Sequence, residues 1–387
     1  MLIAVALVAA AAGCSGVNVA ARWGSSHPPP RSSRAPDAYL RGVGGRLVDF
    51  AGRRVRLVGV SWFGFETPTC APHGLSARNW RSMLLQMRRV GFNVVRLPFS
   101  TRLLDDPMCV PRGIDYALNP DLAGLQGLAL LDAIVNGAGK VGLRVILDRH
   151  APDQQQAGDL WYTEAVPQSQ WISDWVMLAR HYLGNQAVVG ADLSNEPHGA
   201  ATWGDGNAAT DWRLAAQQAG NAVLAANPNL LILVEGIQYY HGDQYWWGGQ
   251  LLGAATYPVR LSHPDKLVYS PHDYGPSLSP QAWFRAPDFP QNLPGVWDRH
   301  WGDLVRLGTP VLVGEYGGSA RSDVTEDGWQ RSLIAYLAAR GIGSIYWSWN
   351  ADSSDSDGIL EADWQTINQR ELDLVLGRQL PTAPLST

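Results

Sequence analysis

Eight short apolar runs, interleaved with stretches of helical period, constrain this chain more than any other feature. The runs are Leu57–Trp62, Asn93–Pro98, Arg144–His150, Val188–Asn195, Leu230–Glu235, Leu267–Ser270, Val311–Glu315 and Ser344–Trp349. Helix-like segments lie between them at Trp80–Val90, Leu125–Val141, Trp171–Leu183, Thr210–Ala226 and Trp329–Ala339. Near-continuous apolar strands are what a parallel sheet covered on both faces requires. Eight of them in alternation with helices predict an α/β fold, a closed (β/α)8 TIM barrel. An open doubly wound sheet would usually carry a Gly-rich phosphate turn after its first strand. Here the first run is followed by Phe63-Gly64-Phe65-Glu66, which is not that turn. Ahead of the barrel, Gly45–Asp49 and Arg54–Leu57, joined through Ala51-Gly52-Arg53, predict a short N-terminal β-hairpin.

The runs end in chemistry. Read in order, their C-terminal ends carry Arg96, His150, Asn195-Glu196, His272 with Tyr274, Glu315 and Trp347. In a barrel these ends share one mouth, where active sites form. Taken singly each residue has a plain account: a glutamate half-solvated or salt-bridged to a helix, an arginine neutralising a buried acid, a histidine satisfied in a polar core. A carboxylate at the end of a buried strand is nevertheless costly unless partnered. Two such glutamates beside an arginine, two histidines, an asparagine and a tyrosine are hard to explain as structure alone. Cleavage of a glycosidic bond needs this kind of pair, one carboxylic acid to protonate the leaving oxygen and one carboxylate across the sugar ring. Arg96 and Tyr274 would favour the ionised form of Glu315 by charge and hydrogen bonding. Glu196, beside a carboxylate and partly desolvated, would hold the proton.

Composition narrows the alternatives. The 387 residues carry a net charge of −5 and no Lys/Arg run, which argues against a nucleic-acid partner. There is no His-Glu-x-x-His and no Cys/His cluster, so no metal is expected. A Gly-x-Ser-x-Gly elbow and a phosphate-cradling Gly/Lys loop are also missing, and no cofactor is expected. Tryptophan is in excess, 17 residues beside 7 Phe. Its flat apolar face suits the C–H face of a sugar ring, although most of the 17 are expected in the core.

Residues 1–14 form an apolar export-signal-like segment, too short to span a bilayer, so no transmembrane span is expected. Ala11-Ala12-Gly13-Cys14 resembles a lipobox and makes Cys14 a lipidation candidate; ordinary signal cleavage before Ala35 is the alternative. Residues 15–36 read as a Ser/Pro-rich linker, leaving 37–387 as the catalytic domain. The product is expected to be secreted or attached to a bacterial cell envelope, as a monomer. Cys70 and Cys109, an even pair in an exported chain, suggest a disulfide, with two free thiols as the alternative.

The motifs resemble the family 5 glycoside hydrolases, and within them the actinobacterial endo-β-1,4-glucanases. The residues that carry the resemblance are Asn195-Glu196-Pro197, Gly314-Glu315-Tyr316-Gly317, Val95-Arg96-Leu97-Pro98, Leu147-Asp148-Arg149-His150, His272-Asp273-Tyr274 and Tyr346-Trp347-Ser348-Trp349-Asn350. Similarity also runs through residues 59–66 and Tyr245-Trp246-Trp247-Gly248-Gly249, spanning residues 43–376 in all. The resemblance implies a retaining endo-β-1,4-glucanase acting on cellulose or mixed-linkage glucan, with Glu196 as acid/base and Glu315 as nucleophile. It implies Asn195 and His150 on sugar hydroxyls, Arg96 and Tyr274 tuning Glu315, and His272 beside Glu196. Trp347 would be the platform under the cleaved sugar, with Trp62 and either Trp246 or Trp247 under flanking ones. The chain departs from its relatives in two places: the loop after His150 has no cysteine, and residues 275–280 have no aromatic, which bears on the product-side subsites. No carbohydrate-binding module follows Gly377, which makes soluble or amorphous glucan the expected substrate. Two rivals remain: another polysaccharide, such as mannan, xyloglucan or a β-1,3-glucan, on the same scaffold, and a non-catalytic carbohydrate-binding protein that keeps the barrel.

Overall fold

A run of parallel strands must hide two faces, and the chain does so by closing the sheet on itself. The structure, a computed structural model, describes residues 39–153, 158–319 and 324–377. The export segment, the linker and Cys14 lie outside the described residues. Pro36–Thr387 groups as one compact unit.

The chain enters through a hairpin of β1 (Arg41–Val43) and β2 (Arg46–Val48), paired antiparallel. The hairpin sits one turn earlier than the sequence pattern places it. Gly44 and Gly45 have φ of 54° and 74°. A two-residue turn with both φ positive matches the twist of the strands it joins, and glycine enters it without strain. The expected second arm contributes only the Val48–Arg54 bridge.

The barrel strands are β3 (Val58–Ser61), β4 (Val94–Ser100), β5 (Arg144–Ala151), β6 (Val188–Asp192) and β7 (Leu231–Val234). After a small hairpin of β8 (Tyr239–Tyr240) and β9 (Asp243–Gln244) come β10 (Leu267–Tyr269), β11 (His272–Tyr274), β12 (Leu312–Gly317) and β13 (Gly343–Tyr346). All pairings in the large sheet are parallel, and β13 pairs with β3. The sixth barrel strand is split at Ser270-Pro271, where proline has no N–H for the ladder. Its first half, β10, pairs with β7 and its second, β11, with β12. A Tyr269–Val311 bridge completes the ring, so nine segments make the eight predicted barrel strands.

Five helices fall on the predicted stretches: α1 (Trp80–Val90), α3 (Gly127–Lys140), α4 (Gln168–His181), α5 (Trp212–Ala226) and α7 (Val324–Arg340). The sequence pattern does not anticipate α2 (Thr101–Asp105), α6 (Leu293–His300) or α8 (Gln369–Val375). In α6, Pro294-Gly295 resembles a turn, yet a proline in the first helical turn gives up no helical hydrogen bond.

Two cores result. The larger lies between sheet and helices and takes most of the tryptophans, Trp161, Trp171, Trp212, Trp297, Trp301 and Trp329 among them. The smaller fills the barrel, where Leu57, Val94, Ile146, Leu231, Val268, Leu312 and Ile345 meet Leu40 and Leu47 from the hairpin. The hairpin thus plugs one end of the barrel with apolar side chains, leaving the polar strand ends at the other. Burying each such side chain is worth roughly 1.5–3 kcal/mol. Cys70, in the loop after β3, and Cys109, after α2, form a disulfide with Cα atoms 5.6 Å apart.

Candidate active site

Side chains two apart on a strand share a face. On that rule Asp148 and His150 of β5 point into the barrel with Arg96 of β4, and Arg149 points out. Arg96 is fully buried and organises the floor of the site. Its Nε donates to Asp192 Oδ2 at 3.0 Å and its Nη2 to Asn195 Oδ1 at 3.0 Å. The same Nη2 lies 3.1 Å from Asp148 Oδ2 and 3.3 Å from Glu235 Oε1, and Nη1 donates to Glu315. Four carboxylates therefore share one guanidinium. Its five donors in a rigid fork make arginine, rather than lysine, the residue that can serve them all.

Glu315, on β12, accepts from Tyr274 O–H at 2.6 Å. Burial pushes its carboxyl up, but His272, Arg96, His150 and the Tyr274 hydroxyl together hold it below the usual carboxylate range. His150 donates from Nδ1 to Asp148 at 2.7 Å, and its Nε2 lies 3.4 Å from Asn195 Nδ2. Burial opposes the charge on His150, yet Asp148 and Glu315 outweigh it and push the imidazole up to about 9. His272 moves the same way, with burial overcome by Glu235 and Glu315.

Glu196 follows β6 with φ at +48°, in the left-handed region. Its backbone N–H donates to Glu235 Oε2 at 2.7 Å, and its Oε1 accepts from His272 Nδ1 at 3.0 Å. The side chain is 18% exposed, against 3% for Glu315, so one glutamate meets solvent and the other does not. The indole N–H groups of Trp171 and Trp175 both donate to Leu193 O, at 2.8 and 3.0 Å, and anchor the backbone leading to Asn195-Glu196.

A cavity of ≈ 410 Å³ opens above these groups, lined by His150, Asn195, Glu196, Tyr274, Glu315 and Trp347 and extended by Trp246 and Trp247. Trp347 lies nearly parallel to Phe63 (centroids 5.3 Å apart) and His150 (5.2 Å). Both Trp246 and Trp247 line the cavity. Trp246 is mostly buried against Tyr274, whereas Trp247 is 44% exposed and stacks on His198. Trp62 departs from expectation. It is fully buried, its Nε1 donates to His73 O at 3.1 Å, and it offers no face to a sugar. Ending a barrel strand is not enough, because the strand has to turn that particular residue inward and leave space above it.

The sequence pattern misses three residues here. Asp148, Asp192 and Glu235 are all fully buried around Arg96. Glu235 ends its apolar run as Glu196 and Glu315 end theirs, and that signal was available. Asp148 lies inside the Leu147-Asp148-Arg149-His150 motif, and nothing in the sequence marks Asp192. Among the described residues, acid and histidine groups form three clusters tight enough to hold a metal ion. Each of them contains a carboxylate already paired with the Arg96 guanidinium.

A barrel whose mouth sets two glutamates of unequal exposure around an arginine–histidine framework is the site of a glycoside hydrolase. The chain belongs to the Cellulase family (glycosyl hydrolase family 5), which it matches over residues 48–353. It is 49% identical to an endoglucanase of Paenibacillus polymyxa, over 88% of this chain and 86% of that one. Among solved structures, it superposes on the catalytic domain of the major endoglucanase of Xanthomonas campestris with a TM-score of 0.82 and 42% identity, covering 87% of this chain and 98% of the other. A cellotetraose complex of an endocellulase from Pyrococcus horikoshii matches with a TM-score of 0.82 and 40% identity, over 87% and 97% of the two chains.

Proposed function

We propose that this enzyme is a retaining endo-β-1,4-glucanase that cleaves internal bonds of cellulose or mixed-linkage β-glucan. The observation that supports the retaining mechanism is a close pair bridged by one side chain: His272 Nδ1 reaches Glu196 Oε1 at 3.0 Å and Glu315 Oε2 at 3.4 Å, and one oxygen of each glutamate lies within 4.8 Å of the other. Retaining enzymes hold their carboxyl groups close, whereas inverting ones leave room for a water between them. Glu315, ionised and backed by Arg96, attacks C1 of the sugar. Glu196 delivers its proton to the glycosidic oxygen as the C1–O bond breaks, and the leaving chain departs as an alcohol. Glu196 then removes a proton from water, whose oxygen attacks C1 and releases Glu315.

In this reading Asn195 and His150 bind hydroxyls of the cleaved sugar, Trp347 lies under its ring, and Trp247 receives a neighbouring one. The names of the Paenibacillus and Xanthomonas relatives, and the cellotetraose in the Pyrococcus complex, support a β-glucan substrate. The finer resemblance to actinobacterial members rests on the motifs alone. Export through residues 1–14, with a lipid at Cys14 or simple cleavage, a catalytic domain of residues 37–387, and action as a monomer without a cofactor complete the proposal. A relative from Xanthomonas described as a major extracellular endoglucanase supports the export. No helix of the described residues is long and apolar enough to cross a membrane.

The test is reducing-sugar release on carboxymethylcellulose, barley β-glucan, mannan, xylan and laminarin, with Glu315→Ala as blank. Activity on the first two that vanishes in the blank supports the proposal; activity confined to another polymer replaces the substrate.

A further inference from the structure

Glu235 takes no part in the steps above, yet it touches more of the catalytic apparatus than its place behind the glutamate pair suggests. It is fully buried at the end of β7, and its own carbonyl is fixed by Trp212 Nε1 at 2.9 Å. Oε2 accepts the backbone N–H of Glu196 at 2.7 Å. Oε1 lies 3.2 Å from His272 Nε2 and 3.3 Å from Arg96 Nη2. Asp148 and Asp192 engage Arg96, whereas Glu235 also engages Glu196 itself, by a hydrogen bond at the backbone and by ion-pair proximity to His272, whose Nδ1 holds the Glu196 carboxyl.

The backbone contact matters because of the conformation it holds. Glu196 sits at φ +48°, a region that disfavours a residue with a Cβ and persists only where the surroundings impose it. A hydrogen bond from that residue's own N–H to the buried Glu235 carboxyl is such an imposition. Gly248, at φ +65°, packs against the same oxygen and against Glu196, since a Cβ there would come within 2.4 Å of Oε2 and 3.2 Å of the Glu196 Cα. Gly236 N donates to Gly248 O at 2.6 Å, so the segment carrying Trp246 and Trp247 is seated directly on this carboxylate.

We propose that Glu235 is a positioning residue for Glu196, aiming the acid/base carboxyl at the glycosidic oxygen through the Glu196 backbone and His272. The proposal rests on the reading of Glu196 as acid/base, and it makes a specific demand. Misaiming the proton donor hurts only where a proton is needed, so the loss must depend on the leaving group. Dinitrophenolate departs from C1 without protonation, whereas phenolate departs slowly unless protonated.

The experiment compares kcat/KM for dinitrophenyl and phenyl β-cellobiosides in the wild type, Glu235→Gln and Glu235→Asp. Glu235→Gln is expected to lose about 100-fold on the phenyl glycoside, the scale of general acid catalysis, and less than about 10-fold on the dinitrophenyl one. Glu235→Asp, which keeps the carboxyl but draws it back by one methylene, is expected to show the same split more weakly. It decides the matter on the same criterion if Glu235→Gln does not fold. Equal losses on both glycosides in a folded variant overturn the proposal, because they place the effect on Glu315 or on the fold at large. A wild type that cleaves neither glycoside overturns the underlying reading of Glu196 and Glu315 as the reacting pair, and this proposal with it.

Discussion

His272 Nδ1 stands 3.0 Å from Glu196 Oε1 and 3.4 Å from Glu315 Oε2, so a single buried imidazole spans both glutamates of the site. Together with His150 it places positive charge against carboxylates that would otherwise repel one another. The framework is therefore tied to pH. His150 is raised from an ordinary value near 6.5 to about 9 in the folded chain. A group whose folded value is raised adds stability in full below its unfolded value and loses it as pH climbs through the folded one. The melting temperature is expected to fall between about pH 6.5 and 9 as His150 deprotonates, and the shift corresponds to at most about 3 kcal/mol. A pH series of thermal melts, with His150→Asn as the comparison, checks this; an equally steep fall in the variant counts against His150 as its origin.

Removing the Tyr274 hydroxyl should be felt at Glu315 alone. The O–H donates to Oε2 at 2.6 Å, and a hydrogen bond to a charged group contributes about 1.5–3 kcal/mol. Tyr274→Phe is expected to lower kcat by roughly 10- to 100-fold. Because the bond holds the carboxyl low, the acid limb of the kcat/KM profile should move to higher pH in the variant. An unmoved acid limb would mean that His272, Arg96 and His150 hold the charge of Glu315 without help from the hydroxyl.

The site is legible in the sequence to the extent that apolar strands terminate abruptly in polar residues. Arg96, His150, Glu196 and Glu315 stand out because each breaks such a run, and the barrel brings the breaks together. Legibility fails where a polar residue lies inside a strand. Asp148 and Asp192 look like interruptions of an apolar pattern, and only the closed sheet reveals that both face one guanidinium. It fails also where ring orientation decides. Trp62 and Trp347 both follow strand ends, yet Trp62 is fully buried with its Nε1 bound to His73 O while Trp347 lines the cavity. The split at Pro271 and the early Gly44-Gly45 turn carry local signals, a proline without an N–H and two glycines at positive φ, that a reading of apolar runs alone passes over.

That contrast between tryptophans yields a paired prediction. Trp62 is fully buried, so Trp62→Ala should destabilise the fold by about 3–5 kcal/mol. Trp247, 44% exposed at the edge of the cavity, should respond in the opposite sense. Trp247→Ala is expected to change the melting temperature little and to raise KM for soluble β-glucan several-fold with kcat nearly intact, the mark of binding shared by ground and transition states. Thermal melts and Michaelis kinetics on both variants check the assignment; a Trp62→Ala protein of normal stability and raised KM would return Trp62 to the cleft.

The Cys70–Cys109 disulfide closes a loop 39 residues apart in sequence, around α1 and β4. In the chain-entropy account a closure of that length adds roughly 4 kcal/mol by restricting the unfolded chain. The bond should therefore matter to stability more than to catalysis, and its neighbourhood allows one qualification. Cys70 N donates to Thr67 O, Thr67 Oγ1 donates to Gly64 O, and Phe63, next along, stacks on Trp347. Loosening the loop would reach the floor of the cavity through that short path. The double variant Cys70→Ser/Cys109→Ser is expected to lose about 2–4 kcal/mol of stability. At 25 °C kcat should stay within about twofold, with any change confined to KM, since the proposed mechanism gives sugar binding to Trp347 and the chemistry to Glu315 and Glu196. Denaturant unfolding and kinetics on the same preparation separate the two; a large fall in kcat with stability preserved would show that the disulfide holds the catalytic geometry rather than the fold.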